Sequence, residues 1–139
     1  MRKFLIATHG TFAKGVQSSL DIIVGPMENV FLIQAYVEEN KGIEDELARV
    51  MEKVSEEDEL VVFTDLMGGS VTNQILRFAL RENVHVVSGF NLPLLVDVML
   101  SDEELAVTEV LTNAIQMAKE QIVYVNNLLT PNAESDFDD

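Results

Sequence analysis

Short apolar runs alternate with amphipathic stretches along this chain, and that rhythm limits the fold more than any other feature. Residues 4–7, 30–35, 60–64 and 84–87 are mainly apolar runs of strand length. Between them apolar residues recur every three to four positions: Phe12, Val16, Leu20 and Ile23, then Ile43, Leu47, Val50, Met51 and Val54, then Val71, Ile75, Phe78 and Ala79. Short bounded apolar runs read as buried strands, and a 3.6-residue period reads as helix. The first helix is expected over about residues 11–24, stopped by Gly25-Pro26. The third is expected to start at Ser70 as N-cap. Two more helices are expected, from Asn91 to Leu100 with Pro93 in the first turn and from Leu105 to Ala118. Residues 122–125 are expected as a final short strand.

Strands that alternate with helices through short connections form a parallel sheet covered on both faces. The expected fold is therefore α/β: a doubly wound, mainly parallel sheet of order 2-1-3-4 flanked by helices. In that order the first and third strands adjoin, and the switch point between them opens a crevice at their C-terminal ends, where ligands bind. At 139 residues the chain makes one domain, expected over residues 1–130, and the acidic segment 131–139 is expected to be a disordered tail.

The formal charge of −15 makes nucleic acid a poor partner. The acid is unevenly spread. Residues 28–59 hold eleven acids and three bases, and residues 102–139 hold nine acids and one base. The remainder, which carries both strand ends of interest, has four acids and five bases, so an anion can dock there without local repulsion. The absence of cysteine removes disulfides and thiolate metal sites and fits a reducing cytoplasm. The apolar run behind Met1-Arg2-Lys3 is too short for a signal peptide, and none reaches the roughly 18 residues of a membrane span.

His9 follows the first strand, and Asp65 follows the third in the run Thr64-Asp65-Leu66-Met67-Gly68-Gly69-Ser70. A carboxylate that accepts one ring N–H fixes the imidazole tautomer and leaves the other nitrogen free to attack. Gly10 opens the first helix, and Gly68, Gly69 and Ser70 open the third. Helix N-termini carry unpaired N–H groups and partial positive charge, and glycine lets a ligand approach the backbone. Backbone held in this way cradles an anion without a fixed cation, which suits a phosphoryl group that must be passed on. His85, mid-strand in Val84-His85-Val86-Val87, reads as structural.

Three ordered segments carry a family resemblance: Ala7-Thr8-His9-Gly10, then Thr64-Asp65-Leu66-Met67-Gly68-Gly69-Ser70-Val71-Thr72-Asn73, then Ser88-Gly89-Phe90-Asn91-Leu92-Pro93-Leu94-Leu95. In them, and over residues 1 to about 126, the chain resembles the IIA domain of the mannose-family sugar phosphotransferase system. The resemblance implies that His9 accepts a phosphoryl group from the phosphocarrier protein HPr and passes it to the IIB component of a sugar permease. It implies that Asp65 orients His9, and that Thr8, Gly10, Gly68, Gly69 and Ser70 hold the phosphate. It also implies a cytoplasmic homodimer that exchanges a C-terminal strand and meets the membrane only through the permease. Neither cofactor nor metal is expected. The usual family loop runs Gly-Gly-Ser-Pro-Phe-Asn, whereas Val71-Thr72 stands here, which puts a partner-facing apolar contact in doubt. Because many family members continue into a IIB domain, a chain ending in an acidic tail is expected to be a free-standing IIA component or a fragment.

Four other readings meet the sequence differently. A receiver domain would use Asp65 as phosphoacceptor but needs an acidic pair after the first strand, where Thr8-His9-Gly10 stands. A serine hydrolase built on Ser70 needs glycine two residues later, where Thr72 stands. A flavin-binding module would usually offer aromatic stacking, and only Phe12 and Phe90 lie near these loops. A phosphorylation-dependent regulatory domain that signals sugar status is compatible with every residue named.

Overall fold

The computed structural model describes residues 1–37 and 42–129. The elements run β1 (Arg2–His9), α1 (Phe12–Ile23), β2 (Val30–Ala35), α2 (Glu44–Glu52), β3 (Glu59–Thr64), α3 (Ser70–Phe78), β4 (Val84–Ser88), α4 (Leu92–Met99), α5 (Val107–Glu120) and α6 (Val125–Leu128). All three strand pairings are parallel, and the sheet order is β2-β1-β3-β4. The expected α/β doubly wound topology is the observed one.

Side chains alternate across a strand, and here both faces are apolar. Phe4, Ile6, Val61 and Phe63 point to one side, where they pack with Val16 and Leu20 of α1, Leu95 of α4 and Leu111 of α5. Leu5, Ala7, Leu60 and Val62 point to the other, against Leu47 and Met51 of α2 and Ile75 of α3. Leu60, Val61, Val62 and Phe63 are all fully buried. Each such side chain contributes roughly 1.5–3 kcal/mol on burial, so β1 and β3 form a stiff base beneath the loops that follow them.

Arg2 anchors the opposite end of the sheet. It is only 5% exposed. Its guanidinium donates to Ser101 Oγ at 3.0 Å and to the carbonyls of Asp102, Glu103 and Leu105 at 3.3, 3.4 and 2.7 Å. The planar fork thus ties the α4–α5 connection to the start of β1, a task that a single ammonium cannot repeat. Arg2→Ala would remove a buried side chain and the donors shared by Ser101 and three carbonyls, although Asp102, Glu103 and Leu105 are exposed and water can replace part of that bonding. We expect it to cost about 1–3 kcal/mol of stability, read as a lowered urea midpoint, with Arg2→Lys recovering only part of the loss.

One expected strand is not formed. Residues 122–124 are irregular and Val125–Leu128 is a short helix. A strand persists only when its N–H and C=O groups meet a neighbouring strand, and within one copy of the chain residues 122–125 pair with none. Ile122, Val123, Tyr124 and Val125 are all exposed. The acidic segment 131–139 lies outside the described residues.

Candidate functional site

Parallel pairing matches Ala7 of β1 with Thr64 of β3, so the residues just beyond, His9 and Asp65, come out on adjacent strand ends. The Asp65 carboxylate holds His9 twice. Oδ2 accepts the His9 backbone N–H at 2.9 Å, and ring Nδ1 lies 3.0 Å from Oδ2 and 3.2 Å from Oδ1. Burial pushes the Asp65 pKa up, but the hydrogen bonds from the His9 backbone and ring outweigh it, and the net shift is below the ordinary carboxylate value. An ionised carboxylate can only accept. In the neutral ring Nδ1 therefore carries the proton, and the lone pair is left on Nε2. The His9 side chain is 38% exposed and that of Asp65 12%, so solvent reaches the imidazole more readily than its anchor.

The loop after β3 brings a helix N-terminus to this ring. Gly68 has φ +72°, a left-handed turn that strains any side chain, and Gly69 follows as the N-cap of α3. A Cβ placed on Gly69 would lie 3.5 Å from His9 Cε1, the carbon between the two ring nitrogens. The start of α3 thus leaves room for no more than about one side-chain carbon between Gly69 and that edge of the ring. No side chain caps it, and its first N–H groups have no intrahelical partner. Those donors and the positive end of the helix dipole stand where a group bonded to Nε2 would carry negative charge. Ser70 is the first residue of α3 rather than its N-cap, and it is exposed.

Two residues expected at the phosphate have other tasks. Thr8 is fully buried, and its hydroxyl accepts the Ala13 N–H at 2.8 Å. Alternation along β1 turns Thr8 toward α1, where it serves the start of that helix, while His9 turns the other way. Gly10 adopts φ +59°, and its N–H donates to the Ala35 carbonyl at 2.7 Å, so it shapes the turn with its donor already spent.

Val71 and Thr72, where the resemblance leads one to expect Pro and Phe, are buried. The Thr72 hydroxyl lies 2.7 Å from both the Leu66 carbonyl and Thr64 Oγ1. The carbonyl can only accept, so Thr72 donates to it and accepts from Thr64. This staples the loop between β3 and α3. The apolar surface offered beside His9 comes instead from Leu66, 58% exposed, and Met67, 82% exposed, with Phe12 stacked on Phe90 at 5.6 Å on the α1 side.

His85 stands apart from this cluster. It pairs with Val61 from within the edge strand β4, and Nε2 lies 2.7 Å from Glu59 Oε2. Sequence reasoning missed Tyr36. Its ring stacks on the His9 imidazole with centroids 5.7 Å apart, and its hydroxyl accepts from Gln74 Nε2 at 3.0 Å. The strand order held the clue, because β1 pairs His9 with Ala35 and so puts the next residue level with the imidazole. Among the described residues, no three His, Cys, Asp or Glu side chains are grouped to hold a metal ion, and no helix is long and apolar enough to cross a membrane.

The arrangement has relatives. Residues 3–115 match the family described as PTS system fructose IIA component. The fructose-specific EIIA component of Bacillus subtilis (strain 168) is 25% identical over 122 residues, which is 86% of this chain and 84% of that one. The mannose-specific EIIAB component of Escherichia coli (strain K12) is 25% identical over 121 residues, 85% of this chain but only 38% of that longer protein. Among solved structures, a candidate phosphoenolpyruvate-dependent sugar phosphotransferase system permease from Klebsiella pneumoniae subsp. pneumoniae superposes with a TM-score of 0.85 at 36% identity, covering 93% of this chain and 94% of that one. The IIA protein associated with the fucose utilization operon of Streptococcus pneumoniae gives 0.75 at 29% identity, covering 93% and 96%. With a match that spans the sheet, the helices that cover it and both loops around His9, this chain belongs to the mannose/fructose family of IIA components of the sugar phosphotransferase system.

Proposed function

We propose that this chain is a phosphocarrier, with His9 as the residue that is phosphorylated. The observation that carries this reading is the pairing of Nδ1 with Asp65, which leaves the Nε2 lone pair free beside the uncapped N-terminus of α3. Nε2 attacks the phosphorus of phospho-HPr, the P–N bond to the HPr histidine breaks, and that nitrogen keeps the electron pair. The phosphoryl group then leaves Nε2 for the IIB component by the same exchange in reverse. Donors at α3 stabilise the charge on the phosphoryl oxygens, while Gly68 and Gly69 let the group come close to the backbone. Exposed Leu66 and Met67 and the Phe12–Phe90 stack give the partner proteins an apolar rim to dock on. The protein works in the cytoplasm, with the membrane components of the permease downstream of it.

The test is intact-mass and tandem mass spectrometry after mixing with enzyme I, HPr and phosphoenolpyruvate. One acid-labile phosphate mapped to His9 is the expected result. Phosphorylated HPr beside an unmodified chain would end this reading.

The exposed run from Ile122 to Val125 supports a homodimer in which it pairs with the sheet of a second copy. We expect light scattering to give twice the chain mass, and truncation after Gln121 to give a monomer. A monomeric intact chain at micromolar concentration would remove the dimer.

A further inference from the structure

We infer that Tyr36 is a positioning residue for the transfer proposed above, holding the His9 imidazole by the face that Asp65 does not touch. The inference rests on that phosphocarrier reading. Asp65 grips one edge of the ring through Nδ1, and such a bond does not by itself stop the ring from tilting out of plane. Tyr36 supplies the missing restraint, with ring centroids 5.7 Å apart and planes inclined by 30°.

Two observations set this contact apart from an incidental one. First, Tyr36 has φ +61°, and it is the one positive-φ residue other than glycine among the described residues. A bulky side chain rarely adopts that conformation, and such outliers gather where surrounding structure imposes them for function. Burial does not account for it, because Tyr36 is 43% exposed. Glycine or asparagine would make the same turn with less strain. Second, the phenol is tied to the loop that receives the phosphate. Gln74 Nε2 donates to Tyr36 Oη at 3.0 Å and to the Ser70 carbonyl at 3.2 Å, while Gln74 Oε1 accepts the Ile43 N–H at 3.1 Å. Gln74 therefore links the residue stacked on His9, the start of α2 and the first turn of α3. The imidazole face and the phosphate donors are registered to each other through one amide. An in-line exchange needs such registration, because a misplacement of about 1 Å can cost on the order of 100-fold in rate.

The experiment is rapid-quench single-turnover transfer from phospho-HPr to the full chain and to Tyr36→Phe, Tyr36→Ala and Tyr36→Gly, with urea midpoints and the imidazole ¹⁵N spectrum of His9 measured alongside. Tyr36→Phe retains the stacked ring but loses the hydroxyl that Gln74 holds, so it should transfer more slowly than wild type, by about 3–10-fold, and faster than Tyr36→Ala. Tyr36→Ala and Tyr36→Gly should both be slower by about 10–100-fold, with unchanged final extent of labelling and altered His9 ring resonances. Tyr36→Gly relieves the backbone strain, so its urea midpoint should match or exceed that of wild type although transfer is slow. A purely structural role would instead let Tyr36→Gly transfer normally. Wild-type rates in both Tyr36→Ala and Tyr36→Gly, with wild type itself labelled at His9, would overturn the assignment of Tyr36 alone. A wild-type chain that takes no phosphate would overturn the carrier reading and this inference with it.

Discussion

His9→Ala should take up no phosphate at all. The reaction as proposed needs a neutral nitrogen lone pair at the β1 terminus, and the described residues offer no substitute there. The second histidine, His85, is engaged with Glu59 on the edge strand β4. Asp65 presents a carboxylate already committed to the His9 backbone N–H. That backbone bond survives in the variant, and the side chain removed is partly exposed, so stability should change by less than about 1 kcal/mol. Loss of labelling with an unchanged circular dichroism spectrum and urea midpoint is the expected outcome. His85→Ala should label as wild type does. Normal phosphate uptake by His9→Ala would move the phosphoacceptor elsewhere and remove the basis for the site.

The second large effect is expected at Asp65. Asp65→Ala should fold but accept phosphate roughly 10²–10⁴-fold more slowly, because a free imidazole populates both tautomers and reorients. Asp65→Asn should be no better. Its carbonyl can still accept a hydrogen bond, but its NH₂ can equally donate to Nδ1, which favours the tautomer with the proton on Nε2 and no lone pair to attack. Single-turnover rates for the three proteins decide this, and an unimpaired Asp65→Ala would show that the pairing does not matter for transfer. The pH dependence of stability follows from the lowered Asp65 pKa. A carboxyl whose folded pKa lies below its unfolded value stabilises the fold fully above the unfolded pKa, about 3.9, and that contribution is lost as pH falls through the folded value. The stability gap between wild type and Asp65→Ala should therefore hold from neutral pH down to about 4 and close below it.

Much of this was readable from residue order. Leu60 to Phe63 is apolar at every position because both faces of a central parallel strand are covered, and the helical stripes between strands are regular enough to force a doubly wound sheet. His9 and Asp65 were recognisable as candidates because one ends such a strand and the other directly follows one. Where the single chain departs from these expectations, tertiary packing is the cause. Thr8 is expected at the phosphate beside His9, yet neighbours on a strand face opposite ways, and its hydroxyl here accepts from the start of α1. Ser70 looked like an N-cap, but Gly69 takes that position because its extended backbone delivers α3 to the ring. Residues 122–125 have the composition of a strand and find no partner within one chain.

Local periodicity and the chemistry of single side chains thus determined the order of elements from β1 to α5, the parallel sheet and the choice of His9 and Asp65 as the candidate pair. These depend on interactions within a few residues or on burial, which any strand of that composition seeks. Only the tertiary structure decided what lies against the imidazole: the edge of Gly69, the uncapped start of α3, and Tyr36 held through Gln74. Those contacts join residues 9, 36, 69 and 74, which come together only when three separate strands reach their shared end of the sheet, and no pattern along the chain records where a ring will tilt once they do.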